Sequence, residues 1–421
     1  MIHRSLLLAG VFAVLCFGNP ETIVFTGTAD GQFAGTDFTG KKVTFTFLTD
    51  TTAAAPGTFC CTDNITTPAG TQGRVEIDGV GGGNMNGTQG VFVNEQEGQM
   101  GIWYYDYRDY FDILWPVAKY DLTTNYGPVT GTTFVFTGAP AFTDAGTLYL
   151  KTMKDASATV TVSTTPAPKP KITGVTTAYG GTTISQNTWI AIQGTNLVST
   201  QLQAPGLSWV GSQPYMGGYM EPKLNGVTVT VNGKPAVISY YCSSVPAGSP
   251  CTAGKDQINA LVALDNTTGP VNVVVTNGGV ASDPFQVTMA TVSPAMLLLK
   301  DNVHVTATHG NYSIIGPTSL YPGASTPATV GETIALWTVG FGLPSNTFIP
   351  NADTQTGTLP TLPVCQINGA AATVTYAGIA SPGLYQINLT VPNGATNGDN
   401  KLSCTYNGAT TQSNVMLAVS R

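Results

Sequence analysis

The sequence predicts an all-β chain built from β-sandwich domains in tandem, and three observations carry that expectation. Short runs such as Ile23-Val-Phe-Thr26, Lys42-Val-Thr-Phe-Thr-Phe47, Arg74-Val-Glu-Ile77 and Thr133-Phe-Val-Phe136 are rich in β-branched and aromatic residues, with much alternation. Four Asn-Gly pairs, Asn232-Gly233, Asn277-Gly278, Asn368-Gly369 and Asn407-Gly408, lie between such runs. Asn-Gly tolerates the positive φ of a two-residue type I′ turn, so each pair signals a hairpin. No stretch past residue 18 sustains a 3.6-residue apolar period, which leaves sheets to build the core.

At 421 residues the chain exceeds one ordinary core, and roughly 100–200 residues per domain gives three. Charged residues are only 9% of the chain, yet 42% are hydrophobic, which supports packed sheets over disorder. The formal charge is −7, without the clustered Lys and Arg that neutralise a phosphate backbone, so a nucleic-acid partner is not expected.

The N-terminus reads as a signal peptide over residues 1–18. His3 and Arg4 form the basic start, Ser5 to Phe17 the apolar stretch, and Cys16 and Gly18 the small residues before a cut at Asn19. No later stretch reaches the ~20 apolar residues of a transmembrane helix. The expectation is an exported protein, extracellular or on the cell surface, without a transmembrane segment.

Thr164-Thr-Pro-Ala-Pro-Lys-Pro-Lys171 reads as an extended linker, because proline cannot donate to a sheet ladder. It divides an N-terminal β-domain, 19–163, from a region that repeats itself. Trp189-Ile-Ala-Ile192 returns as Thr333-Ile-Ala-Leu336, and Val229-Thr-Val-Asn-Gly233 as Cys365-Gln-Ile-Asn-Gly369. Gln257-Ile-Asn259 returns as Gln386-Ile-Asn388, and Val273-Val-Val-Thr-Asn-Gly278 as Ser403-Cys-Thr-Tyr-Asn-Gly408. Four blocks in one order indicate a duplicated domain, with repeats at 172–295 and 296–421.

The stretch Gly181–Leu197, ending Ile190-Ala-Ile-Gln-Gly-Thr-Asn-Leu197, resembles the opening of an IPT/TIG immunoglobulin-like domain. The region from about 171 to 421 resembles the paired C-terminal sandwiches of secreted acidobacterial proteins, through elements such as Thr308-His309, Tyr321-Pro-Gly323, Gly331-Glu332 and Gly383-Leu-Tyr-Gln-Ile-Asn388. Thr338-Val339 departs from the Gly-Thr pair usual there. The Phe25–Phe47 region and Tyr120-Asp-Leu-Thr-Thr-Asn-Tyr126 are similar to N-terminal β-domains of bacterial exported proteins. The resemblance implies paired immunoglobulin-like sandwiches behind residue 171 and an exported location, and carries no activity with it; with the N-terminal β-domain, three immunoglobulin-like sandwich domains in a row are expected.

Candidate chemistry is sparse. His304 and His309 are five residues apart, which on one strand puts them on opposite faces and is poor for shared metal ligation. No Gly-x-Ser-x-Gly elbow is present. Gly79-Val-Gly-Gly-Gly83 lacks the Lys-Ser/Thr of a phosphate loop and reads as a flexible loop. Asn397-Gly-Asp-Asn400 and Cys61-Thr-Asp-Asn64 hold oxygens suited to Ca²⁺ but lack the spacing of a calcium loop, and read as turns. Asp106, Asp109 and Asp112 lie among aromatics without forming a recognisable glycosidase pair. No catalytic residue, metal or cofactor is expected.

The run from Trp103 to Trp115 packs seven aromatics into thirteen residues. Trp103, Tyr105, Tyr107 and Trp115 are the candidate ligand-binding residues. Two readings stay open: a platform stacking on sugar faces, or a core strand pair with phenols at the rim. The cysteines are candidates for disulfides in an oxidising compartment. The repeat alignment sets Cys365 at Val229 and Cys404 at Val274, apolar strand positions, so these two are expected to bridge. Tyr240 to Gln257 spans 17 residues against 10 for Tyr376 to Gln386, and the excess carries Cys242 and Cys251, expected to staple that loop. For Cys60 and Cys61, a vicinal bridge, free thiols and pairing between chains all remain open. The function expected is a non-enzymatic binding or adhesion module. The alternatives are a structural envelope or matrix protein and a polysaccharide-binding accessory protein, with an extracellular polysaccharide or cell-surface protein as partner.

Overall fold

The structure, a computed structural model, describes residues 19–51, 55–56, 64–66, 72–85, 89–95, 97–104, 108–114, 120–143, 145–163, 168–177, 181–198, 220, 222–224, 227–244, 251, 253–346 and 349–421. Every regular element among them is a strand, and the architecture is that of immunoglobulin-like β-sandwiches in tandem. The segment 1–18 expected to be a signal peptide, residues 164–167 of the expected linker, and Cys60, Cys61, Tyr105, Tyr107 and Trp115 lie outside the described residues.

Residues 20–162 form β1 Pro20–Phe33, β2 Thr36–Asp50, β3 Ala55–Pro56, β4 Asn64–Thr66, β5 Gln72–Ile77, β6 Gly81–Asn84, β7 Gln89–Asn94, β8 Gln99–Tyr104, β9 Arg108–Leu114, β10 Tyr126–Thr130, β11 Thr132–Val135, β12 Pro140–Thr143 and β13 Gly146–Val162. One sheet runs β10-β13-β1-β2-β5-β6, with β12 also on β13; the other runs β11-β9-β8-β7-β4-β3. Strand alternation aims Ile23, Phe25, Val43, Phe45 and Phe47 inward from the first sheet and Val91, Met100, Ile102, Phe111 and Ile113 from the second. Phe25 meets Phe111 edge-on across the gap at 5.9 Å, and Phe45 meets Tyr110 at 6.2 Å.

The glycine run departs from its expected role as a loop. Gly81–Asn84 is an edge strand paired to β5, Ile77 facing Gly81 and Val75 facing Gly83. A side chain at Gly82 would run into the Val75 carbonyl and the Glu76 carboxylate, which explains a glycine there.

The two repeats share one strand plan. Strand Trp189–Thr195 pairs with Asp256–Leu261, and Thr333–Val339 pairs with Leu384–Thr390. In each repeat a long strand, Lys234–Cys242 or Ala370–Ser381, begins in one sheet and continues into the other. In each, a short parallel pairing completes the plan: Thr183–Ser185 on Phe285–Ala290, and Ala328–Thr329 on Met416–Ser420.

Three hairpins turn on Asn-Gly as expected, with φ of 51° at Asn232, 53° at Asn368 and 46° at Asn407. The fourth does not. Asn277 ends its strand facing Val280, and the turn residues are Gly278 and Gly279, at φ of 52° and 76°. Two residues without Cβ accept the left-handed backbone more readily than Asn followed by Gly, so the turn slides by one. That slip corrects the repeat alignment. Val229 faces Val275 across the ladder, as Cys365 faces Cys404, so Cys404 stands where Val275 does, not Val274. Val275 is fully buried and Val274 is not, as a one-residue change of face requires.

The apolar segment Met296-Leu-Leu-Leu299 opens the second repeat. Met296 and Leu298 pack into the cluster of the second repeat itself, with Ile334, Leu336 and Phe341. The contact between repeats is made elsewhere. Trp189, Met220, Val237 and Leu261 form a small separate cluster, and the Trp189 indole donates to the Pro382 carbonyl at 2.7 Å. Gly383 closes that contact: a Cβ there would lie 2.7 Å from Leu261 and 2.8 Å from Trp189. Met220 N–H adds a bond to the Asn351 carbonyl at 2.7 Å.

Candidate functional site

The aromatic run splits between the two faces of its sheet. On the inner face, Ile102, Tyr104, Tyr110, Phe111 and Ile113 join the core. On the outer face, Trp103 faces Gly90 on β7 and Asp109 on β9. Trp103 is only 7% exposed, and neighbouring Phe92 and Asp112 on that face are 2% exposed each. Of the two readings left open for the run, the burial of Trp103 favours ordinary packing over a solvent-facing platform at this residue. Both faces of β8 are covered, so its alternation separates two buried layers instead of core from solvent. Asp112, one of the three aspartates considered for catalysis, is a buried carboxylate facing Gly101 and Phe134.

Exposed rings occur on the strands that follow. Among the described residues, Phe134, Phe136, Phe142 and Tyr149 are 49%, 40%, 41% and 37% exposed, and the remaining ring exposed to this degree is Tyr312. Phe134 lies on edge strand β11 and Phe136 just beyond it. Phe142 is on β12 and Tyr149 on β13. In β13, Leu148 and Leu150 point into the core, which forces Tyr149 and Lys151 outward. Phe142 faces Thr147, and Pro140 faces Tyr149, so Phe142 and Tyr149 are diagonal neighbours on one face.

The inner-face tyrosines hold this region in place. The Tyr104 hydroxyl accepts from Phe142 N–H at 2.9 Å and donates to the Phe142 carbonyl at 3.3 Å. The Tyr110 hydroxyl donates to the Leu148 carbonyl at 3.5 Å, and burial pushes its pKa well above that of an ordinary phenol. Two phenols from one sheet thus reach across the sandwich to the strands that carry the exposed rings. The sequence pattern Leu148-Tyr-Leu-Lys151 held the signal for Tyr149. For Phe142 no local pattern did, since its strand has four residues.

The structure joins Cys242 to Cys251 and Cys365 to Cys404. The second pair faces across the ladder, with Cα atoms 4.0 Å apart and both residues fully buried. Asn400, in the turn considered for Ca²⁺, spends its amide on its own loop. Its Nδ2 donates to the Thr396 and Gly398 carbonyls at 2.7 and 2.8 Å, and its Oδ1 accepts from Thr396 N–H at 2.8 Å.

The histidines do not share a strand; each joins separate segments of the second repeat. His304 is 7% exposed, with Nδ1 2.5 Å from Asp301 and Nε2 3.0 Å from Asp399. His309 has Nδ1 2.5 Å from Glu332 and Nε2 3.0 Å from the Thr326 hydroxyl. A neutral imidazole has one N–H, but carboxylates accept at both ring nitrogens of His304, so the arrangement suits the imidazolium. Burial opposes that charge, yet hydrogen bonds to Asp399 and Asp301 outweigh it and raise the His304 pKa above the usual value. A raised folded pKa stabilises fully below the unfolded value of about 6.5, and the stabilisation is lost as pH rises through the folded value. Asp301 runs the other way: burial opposes its charge, but bonds from His304 and Val303 lower its pKa, so its contribution is lost in acid. The wild type is expected to lose on the order of 1 kcal/mol between pH 5.5 and pH 9 through this clasp. Urea unfolding at both pH values checks it, and His304→Gln should flatten the difference; an equal difference in the variant would refute the assignment.

No family model and no curated protein matches the chain. Among solved structures, it is similar to SGBP-B of the Bacteroides ovatus mixed-linkage glucan utilization locus, in complex with a mixed-linkage heptasaccharide. That likeness has 10% identity and a TM-score of 0.26, over 67% of this chain and 52% of that one. This chain thus spans about half the length of the SGBP-B chain. The Yersinia pseudotuberculosis adhesin InvE is similar at 13% identity and a TM-score of 0.16, over 59% of this chain and 58% of its own. The titin I9-I11 tandem is similar at 8% identity and a TM-score of 0.16, over 79% of this chain and 91% of its own. Likenesses this distant carry no argument about function.

Proposed function

We propose that the chain is an exported, non-enzymatic binding or adhesion module. The reading divides it into a binding domain at 19–163 and IPT/TIG-like repeats at 172–295 and 296–421, which hold that domain away from an anchor point. The observation that carries it is the exposure of four rings in the first sandwich: Phe142 and Tyr149 share the outward face of one sheet, and Phe134 and Phe136 lie on and just beyond the edge strand of the other. Exposed apolar patches on stable sandwiches mark interaction surfaces. Two disulfides fit a chain that matures in an oxidising compartment. The Trp189–Pro382 contact favours a second reading, a structural envelope protein, because it stiffens the repeat pair.

The test has two arms. A broad-specificity protease should cut first near Pro166–Lys171 and leave the repeat pair whole; an early cut near Leu298 would contradict the division. Beads coated with the full chain should be retained on bacterial cell surfaces at least tenfold above albumin-coated beads. A Phe134→Ala/Phe136→Ala/Phe142→Ala/Tyr149→Ala variant should lose that retention. Retention at the albumin level for the wild type would leave the structural reading in its place.

A further inference from the structure

We propose that the outward face of the β12-β13-β1-β2 sheet is a binding site for a neutral polysaccharide of β-linked pyranose units, with Phe142 and Tyr149 as its stacking rings. This rests on the binding reading above and assigns the ligand class and the residues, at a place other than Trp103.

Pro140, Tyr149, Gln32 and Asp37 face one another in a single row across four strands. At ~4.8 Å per strand that row is on the order of 14 Å long, and Phe142 lies beside it, roughly 7 Å from Tyr149 along the diagonal. The inner neighbours Ala141, Leu148 and Leu150 are fixed in the core, so the row stands on a rigid sheet. Tyr104, itself buried, holds both backbone polar groups of Phe142 and acts as a positioning residue for its ring.

The chemistry of the row selects the ligand. Two rings side by side present an apolar, flat, weakly electronegative surface, which suits the C–H face of a pyranose. Around them stand hydrogen-bonding groups of both kinds: the Gln32 amide, the Asp37 carboxylate, the Thr147 hydroxyl and the Lys151 ammonium. Gln32 donates to Asp37 at 3.3 Å, and Lys151 lies 3.6 Å from the same carboxylate. Within the row Asp37 and Lys151 cancel one another, and the neighbouring Asp30 stands with Lys154, so the row offers no excess of either sign to an anionic or cationic chain. A neutral ligand with hydroxyl edges and apolar faces is complementary to it. A β-linked chain, being extended, lies along a flat row, whereas a coiled α-linked chain meets it at one unit.

The experiment measures depletion of the full-length protein from solution by microcrystalline cellulose and by chitin, with an α-linked dextran gel alongside. Wild type should bind at least one of the β-linked solids at least tenfold more tightly than dextran. Phe142→Ala/Tyr149→Ala should weaken that binding at least tenfold with an unchanged thermal midpoint, since both side chains are exposed. Tyr149→Phe, which keeps the ring, should stay within about threefold of wild type, and Tyr312→Ala, an exposed ring of the second repeat, should leave binding unchanged. Tyr104→Phe should weaken binding through the loosened Phe142. Should the double variant fail to fold, Gln32→Ala/Asp37→Ala on the same row decides instead, with the same tenfold loss expected. Undiminished binding by a folded row variant overturns the site. Wild type that binds neither solid, or dextran equally well, overturns the ligand class. The cell-retention result stands apart from both, so loss of this proposal leaves the adhesion reading to its own test.

Discussion

Trp103→Ala is expected to destabilise the N-terminal sandwich by about 3–5 kcal/mol, the cost of removing a large buried ring. Trp103 is 7% exposed, between Gly90 and Asp109 on the neighbouring strands, so the residue left behind would border a cavity. Trp103→Phe should recover more than half of the loss by filling most of that volume. Urea unfolding followed by Tyr and Trp fluorescence measures both, with an unchanged m-value showing that the unfolded reference has not moved. A loss under about 1 kcal/mol for Trp103→Ala would mean that the ring is wet in solution. The sugar-stacking platform at Trp103 would then be restored.

Removing the buried disulfide should have a comparable effect. Cys365 and Cys404 are 39 residues apart, and closing a loop of that length costs the unfolded chain entropy worth about 4 kcal/mol. Cys242 and Cys251 are 9 apart, for which the same relation gives about 2.5 kcal/mol. Cys365→Ala/Cys404→Ala should therefore unfold at markedly lower urea than Cys242→Ala/Cys251→Ala. The gap should widen further because the first pair also leaves a void in a fully buried ladder position. Equal losses, or the reverse order, would show that loop entropy does not govern these bridges.

Hairpins were legible where local chemistry is unambiguous. Asn232-Gly233, Asn368-Gly369 and Asn407-Gly408 turn where the sequence places them, because the turn's backbone demands are met by two adjacent residues. The turn at Ala34-Gly35 carried no such signal. Ala34 adopts φ of 48° because the long β1–β2 ladder, from Pro20 facing Asp50 to Phe33 facing Thr36, fixes the register around it. The fourth turn moved to Gly278-Gly279 because two adjacent glycines accept the left-handed backbone more readily than Asn followed by Gly. With it moved the counterpart of Cys404.

The candidate site was less legible than the fold. Alternation says which residues share a face but not what covers that face, and β8 is covered on both sides, so Trp103, an aromatic beside charged residues, is buried. Tyr149 could be read as outward from its flanking leucines; its partnership with Phe142, Gln32 and Asp37 could not, since those residues come from three other strands.

By itself, then, the sequence determined the all-β class and three of the four turns, because periodicity and turn chemistry are properties of neighbours in the chain. It also selected the cysteine pairs, through the extra loop length and the repeat alignment. Only the tertiary structure decided that Trp103 is buried, that Met296 belongs to its own repeat, and that Trp189 and Gly383 make the contact between repeats. It alone set four strands side by side under Phe142 and Tyr149. Burial and proximity across a sheet depend on which surfaces meet after the chain collapses, and that is a sum over distant residues that no local pattern encodes.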